Sequence, residues 1–201
     1  MFNLIRRDVI IQKYNILVFL PFILVFIIAK SHPALIFLVA SIFIPFNAYG
    51  YDEKTETNIL LNSLPYTRKE IVASRYLGAI VYMILAVGVT SLVLFIFNRS
   101  FTVTDIAIGC GLFLLYSALT FPLFYIFKRG NITTVVLITF VVIAAILPII
   151  ISFVNDHFAN VIQFISQFSN LTLYVGIATI IMTLYIISWG ITTIIYQRKA
   201  F

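Results

Sequence analysis

YDEKTETNILLNSLPYTRKEIVASRYL, residues 51–77, is the stretch on which the reading of this chain turns. It holds four of the thirteen Lys and Arg and four of the seven Asp and Glu in a protein that is otherwise mostly apolar. Asp52 and Glu53 suit the first turn of a helix, where negative charge meets the positive end of the macrodipole, and that helix is expected to run toward Asn62. Pro65 drives Leu64 into an extended conformation and closes it. Thr67-Arg68-Lys69-Glu70 then spells a capping box, with Thr67 as N-cap, Glu70 at the third helical position, and Tyr66 and Ile71 as a hydrophobic staple. The pattern predicts helix, proline turn and capped helix, the second helix running on into an apolar segment. A charged stretch is often only a solvated loop. The cap, the staple and the Ser-Leu-Pro turn specify a rigid elbow instead, and a rigid elbow between two apolar segments points to a protein partner.

Composition sets the solvent. Hydrophobic residues make up 62% of the 201 residues, charged residues 10%, and the mean hydropathy is +1.11. A soluble domain of this size cannot hide so much apolar surface, so most of the chain faces lipid. The single cysteine, Cys110, excludes an intramolecular disulfide and a cysteine metal cluster, and reads as a small buried hydrophobe. No cleavable leader is expected, because the first fifteen residues are too polar and no small-residue cleavage site follows the first apolar run.

Six apolar segments follow one another: 14–29, 34–50, 76–97, 105–127, 132–154 and 171–196. Against the ~20 residues that cross the hydrocarbon core, the first two are marginal. Lys30-Ser31-His32-Pro33 joins them as a tight turn, so they form a hairpin. Pro21, Pro45, Pro122 and Pro148 fall inside spans, where neighbours must re-satisfy the carbonyls they free. The fold class is thus all-α, a single membrane domain over 1–201 with six transmembrane helices. Residues 1–13, with Arg6, Arg7 and Lys13 among apolar positions, form an interfacial helix. Residues 51–75 form the elbow between spans two and three. Residues 155–170 form a short outer amphipathic helix before span six, with Phe158, Val161, Ile162, Phe164, Ile165 and Phe168 on one arc.

With the N-terminus inside, eleven basic residues lie on the inner side and only Lys30 and Arg99 face out, which places both termini in the cytoplasm. The net charge of +6 is therefore a topology signal and not a nucleic-acid footprint. No phosphate loop is present, Gly109-Cys110-Gly111 lacks the context of a dinucleotide motif, and His32 and His157 sit in separate loops that make no metal site. Asp105 and Asp156 lie at outer boundaries, Asp105 first as a helix N-terminal charge. Asn47 is the most interior strongly polar side chain, and two readings of it stand: lining of a pathway, or an interhelical hydrogen bond. No catalytic group, bound cofactor or metal is expected.

Tyr51-Asp52-Glu53-Lys54, the run from Leu60 to Arg68 (LLNSLPYTR) and Ile71-Val72-Ala73-Ser74-Arg75-Tyr76-Leu77 together resemble the cytoplasmic loop of permease subunits of type-2 ABC exporters. The motif spans about 27 residues, and the six-helix layout matches over the whole chain. The resemblance implies a coupling helix at Asp52, Glu53, Lys54, Glu56, Ile59, Leu60 and Leu61, docking on a separate ABC ATPase that binds ATP and magnesium. The proline turn and the cap make a stiff joint at Pro65, Thr67, Arg68 and Glu70 between that helix and the third span, with Arg68 and Lys69 themselves expected to meet headgroups or solvent. The resemblance also implies a second permease copy or paralogue, a bacterial cytoplasmic membrane, and hydrophobic or amphipathic cargo, compact members exporting amphipathic peptides. Two other classes stand beside it: a non-transporting scaffold or peptide-immunity protein, and an ATP-independent carrier, which the lack of intramembrane charge disfavours.

Overall fold

The fold is described, from a computed structural model, for residues 13–54, 67–127 and 170–198 and for part of 134–153. Five helices run through these residues: α1 (Lys13–Ile28), α2 (Pro33–Lys54), α3 (Arg68–Ile96), α4 (Val103–Ile126) and α5 (Asn170–Arg198). No strand occurs among the described residues, and the described positions of 134–153 are helical. Among the described residues three helices are long and apolar enough to cross a membrane: Arg68–Ile96, Val103–Ile126 and Thr172–Arg198. Phe19–Ile28 and Pro33–Asn47 are shorter apolar helices. The interfacial helix expected at 1–13 and the outer segment at 155–170 lie outside the described residues, apart from Lys13 and Asn170.

α1 and α2 form the expected hairpin, and the turn has a definite chemistry. Ser31 N–H donates to the Phe26 carbonyl at 3.1 Å and Lys30 N–H to Ile27 at 3.1 Å, with Lys30 at φ 54°. That is a Schellman cap, with a lysine at the left-handed position where glycine is the default. α3 ends the same way: Arg99 N–H donates to Leu94 at 3.0 Å, Asn98 N–H to Phe95 at 3.1 Å, and Asn98 has φ 51°. α4 then opens on a capping box of its own, Thr102 with Asp105, so the N-terminal charge expected at Asp105 is a reciprocal cap.

α4 packs on α2 and α5, α3 on α2 and α5, and α1 on α2. Two apolar clusters fill the bundle. One holds Tyr76, Phe113, Phe121, Phe124, Tyr185 and Tyr196; the other holds Phe19, Ile23, Phe37, Tyr82 and Leu94. The first is an aromatic box: Tyr76 meets Phe121 edge-on at 5.0 Å and stacks on Trp189 at 5.9 Å, and Tyr125 meets Tyr196 at 5.0 Å. Large apolar side chains such as Val25, Phe95, Ile96 and Ile180 stand exposed, as surfaces that face acyl chains do.

The proline in α4 shows how the bundle repairs a broken ladder. Pro122 has no N–H for the Ala118 carbonyl four residues back. Ser188 of α5 supplies the missing donor, its Oγ 2.5 Å from that carbonyl. Tyr76 Oη in turn lies 2.8 Å from Ser188 Oγ and 2.7 Å from Thr192 Oγ1, and Thr192 Oγ1 bonds the Ser188 carbonyl at 2.8 Å. These four contacts have only three hydroxyl protons between them, so Tyr76 shares its proton between two acceptors when the other two hydroxyls serve carbonyls. Tyr76→Phe therefore strands no carbonyl, whereas Ser188→Ala strands one. Unfolding in detergent is expected to show a loss of about 0.6 kcal/mol for Tyr76→Phe and of about 1–2 kcal/mol for Ser188→Ala. The reverse order would mean that Ser188 is not the repair.

Candidate coupling joint

The local signal at the start of α3 is realised as read. Thr67 is the N-cap, in extended conformation at φ −72° and ψ 149°. Its Oγ1 accepts from Glu70 N–H at 3.3 Å, and Glu70 Oε2 accepts from Thr67 N–H at 2.8 Å and from the Thr67 hydroxyl at 2.9 Å. Both halves of the box are closed, so two of the helix's orphan N–H groups are satisfied. The helix that starts here continues for 29 residues without a break to Ile96. A displacement applied at Thr67 thus enters the membrane through one rigid rod.

Arg68 departs from expectation. Instead of meeting headgroups or solvent, its Nη1 donates to the Gln197 carbonyl at 2.8 Å and to the Tyr196 carbonyl at 3.3 Å. Those carbonyls lie in the last described turn of α5, toward the negative end of its dipole. Arg68 fastens the start of α3 to this part of α5. Lys69 is exposed, as expected. Two turns further in, Arg75 is 8% exposed and Tyr76 is fully buried; the Tyr76 backbone carbonyl accepts from Tyr185 Oη at 3.0 Å. The α3–α5 seam is therefore bonded at three levels, Arg68, Tyr76 O with Tyr185, and Tyr76 Oη with Ser188 and Thr192. Arg68 and Tyr76 stand in the sequence motif; the hydroxyls at 188 and 192 carry a weaker signal, as polar residues four apart in an apolar span.

The rest of the predicted elbow separates into two parts. Asp52, Glu53 and Lys54 do not open a new helix: they belong to α2, whose described residues run unbroken from Pro33 to Lys54 through Pro45 and Gly50. The acidic pair thus continues a helix that starts about five turns earlier, and is not in its first turn. Glu56, Ile59, Leu60, Leu61, Pro65 and Tyr66 lie outside the described residues. Asn47 is exposed, and its side-chain amide donates to the Phe43 carbonyl of its own helix at 2.8 Å. Among the described residues it makes no interhelical bond.

The comparisons with known proteins bear on the whole of this arrangement. A family model described as ABC-2 family transporter protein matches residues 3–197. No curated protein and no solved structure gave a significant match. The match takes in all five helices, the capped start of α3 and the Arg68 clasp together, and on that footing the chain belongs to the ABC-2 family of transporter proteins, as a multi-pass membrane component of a transporter.

Proposed function

We propose that this chain is the permease subunit of an ABC exporter, driven by a separate ATPase and moving hydrophobic or amphipathic cargo, of which peptides are one class, out of a bacterial cell. Six spans, with 132–154 as the fifth, put both termini in the cytoplasm and the elbow on the ATPase side. Two permease copies or paralogues face each other, with lipid around them. ATP and magnesium belong to the ATPase. The residues 51–62 dock on it, with Ile59 and Leu60 as an apolar patch rimmed by Glu53, Lys54 and Glu56.

The observation that carries the reading is the double fastening at Thr67 and Arg68. A helix start that is both capped and clasped to α5 converts movement of the elbow into joint movement of two membrane helices. Such a joint has a use where force arrives at that end. An isolated channel or scaffold has no need of it.

Burying Ile59 and Leu60 on a partner is worth about 1.5–3 kcal/mol each, and the charged rim gives the docking its orientation. Glu53→Lys with Glu56→Lys is expected to abolish co-purification of the ATPase from membranes while the chain still inserts. Retained co-purification, with ATP turnover still stimulated by transport, would remove the docking role. A reporter placed after Asn155 that reads cytoplasmic would remove the six-span arrangement.

A further inference from the structure

At the end of the bundle away from Thr67, the α1–α2 turn and the α3–α4 turn meet. Arg99 of the second reaches across to the first, its Nη2 3.5 Å from the Ile27 carbonyl. Between the turns is a cleft of about 260 Å³ lined by Lys30, His32, Arg99 and Ser100 over a floor of Ile36 and Leu94. No acidic side chain lines it. Asp105 lies close by, its Oδ1 3.7 Å from His32 Nδ1, but its Oδ2 is taken up by the Thr102 amide and hydroxyl. Lys30 and Arg99 are the two basic residues that the charge bias sets apart from the other eleven, and the fold brings both to one opening. Among the described residues neither forms an ion pair.

We propose that this cleft binds the phosphate headgroup of an anionic phospholipid in the adjacent leaflet. Two cations held at one opening, against the single nearby carboxylate of Asp105, favour an anion between them, and the guanidinium fork of Arg99 matches phosphate oxygens in pairs. The Ser100 hydroxyl adds a donor. α2 starts beside the cleft with no acidic residue in its first turn, where His32 Nδ1 accepts from Ala34 N–H at 3.3 Å. The volume lies below the ~300 Å³ at which drug-sized pockets begin, which suits a headgroup and not a peptide. The surroundings select lipid over free phosphate: Ile28, Phe95, Ile96 and Phe97 stand exposed beside the turns and offer apolar surface to an acyl chain. Lys30 holds its charge at this place in a left-handed conformation that glycine would adopt more cheaply.

The test uses the full chain in phosphatidylcholine nanodiscs carrying a trace of spin-labelled phosphatidylglycerol or, in a parallel sample, spin-labelled phosphatidylcholine. The motionally restricted fraction gives the relative association of the two lipids. The intact chain is expected to prefer phosphatidylglycerol, and each cation removed is expected to cost about fivefold of that preference. Lys30→Gly removes one charge while relieving the backbone, so its thermal stability should be unchanged or higher and a lost preference cannot be laid to misfolding. Arg99→Gln removes the second, and Arg99→Lys, which keeps the charge but loses the fork, should fall between the intact chain and Arg99→Gln. An unaltered preference in Lys30→Gly, alone or combined with Arg99→Gln, overturns the proposal. So does displacement of the lipid label by excess inorganic phosphate, which would make the cleft a site for the free ion.

Discussion

Gly109→Ala is expected to destabilise the protein by about 2–3 kcal/mol, although alanine is the better helix former. A Cβ at Gly109 would stand 2.6 Å from Phe37 Cβ, 3.0 Å from the Ala34 carbonyl oxygen and 3.2 Å from the Leu38 nitrogen. Two of these three are backbone atoms of α2, so no rotamer change makes room; α2 and α4 must move apart. Close approach of small residues is how membrane helices gain packing where no hydrophobic effect drives them together. Leucine at the same position should prevent folding of the α2–α4 pair. Gly88→Ala is the matched control, because nothing lies within 4 Å of a Cβ there; it should be neutral or stabilising by up to about 1 kcal/mol. Thermal unfolding of the three variants in one detergent decides the matter. Equal melting of Gly109→Ala and Gly88→Ala would show that the helices are not held at this distance.

On the proposed function, Arg68→Ala is expected to uncouple ATP turnover from export more severely than Thr67→Ala combined with Glu70→Ala. Loss of the box removes an N-cap worth about 1 kcal/mol and frays one turn of α3. Loss of Arg68 removes two charge-assisted hydrogen bonds to carbonyls in the last described turn of α5, of the class worth about 1.5–3 kcal/mol, and separates two helices that otherwise move as one. Arg68→Lys keeps the charge but not the reach and planar geometry that set Nη1 between both carbonyls, and should fall between. The paired readout is substrate-stimulated ATP turnover and cargo release, at equal expression and equal ATPase association. If Arg68→Ala exports at the wild-type ratio of cargo to ATP, the clasp only holds the fold together.

What was legible in the sequence was local. The Thr67–Glu70 box, the 30–33 turn and the long spans are set by residues three or four apart, and the same logic places the charge of Asp105 at a helix start. The membrane class followed from composition alone. What was not legible depended on partners far along the chain. Arg68 was read as solvated because its acceptors are backbone carbonyls 128 and 129 residues away, which no side-chain pattern announces. Asp52 and Glu53 were read as a helix start because the charge rule is local, while the helix they belong to begins at Pro33. Asn47 was weighed between a pathway and a neighbouring helix, and it bonds its own helix. Pro122 was expected to need a neighbour, but only the fold names Ser188.

The two turns that close α1 on α2 and α3 on α4 are short, residues 29–32 and 97–102, and Arg99 bridges them. Rods tied at one end separate only by pivoting, so any gap between them widens with distance from the tie. Over the 29 residues of α3, about 43 Å of helix, a pivot of about 5° carries the far end roughly 4 Å. At that far end α3 is clasped to α5, so the two sweep together. The geometry is that of a wedge that gapes on the Thr67 side while its apex stays shut, and a lipid seated at the apex would act as the pin on which it turns.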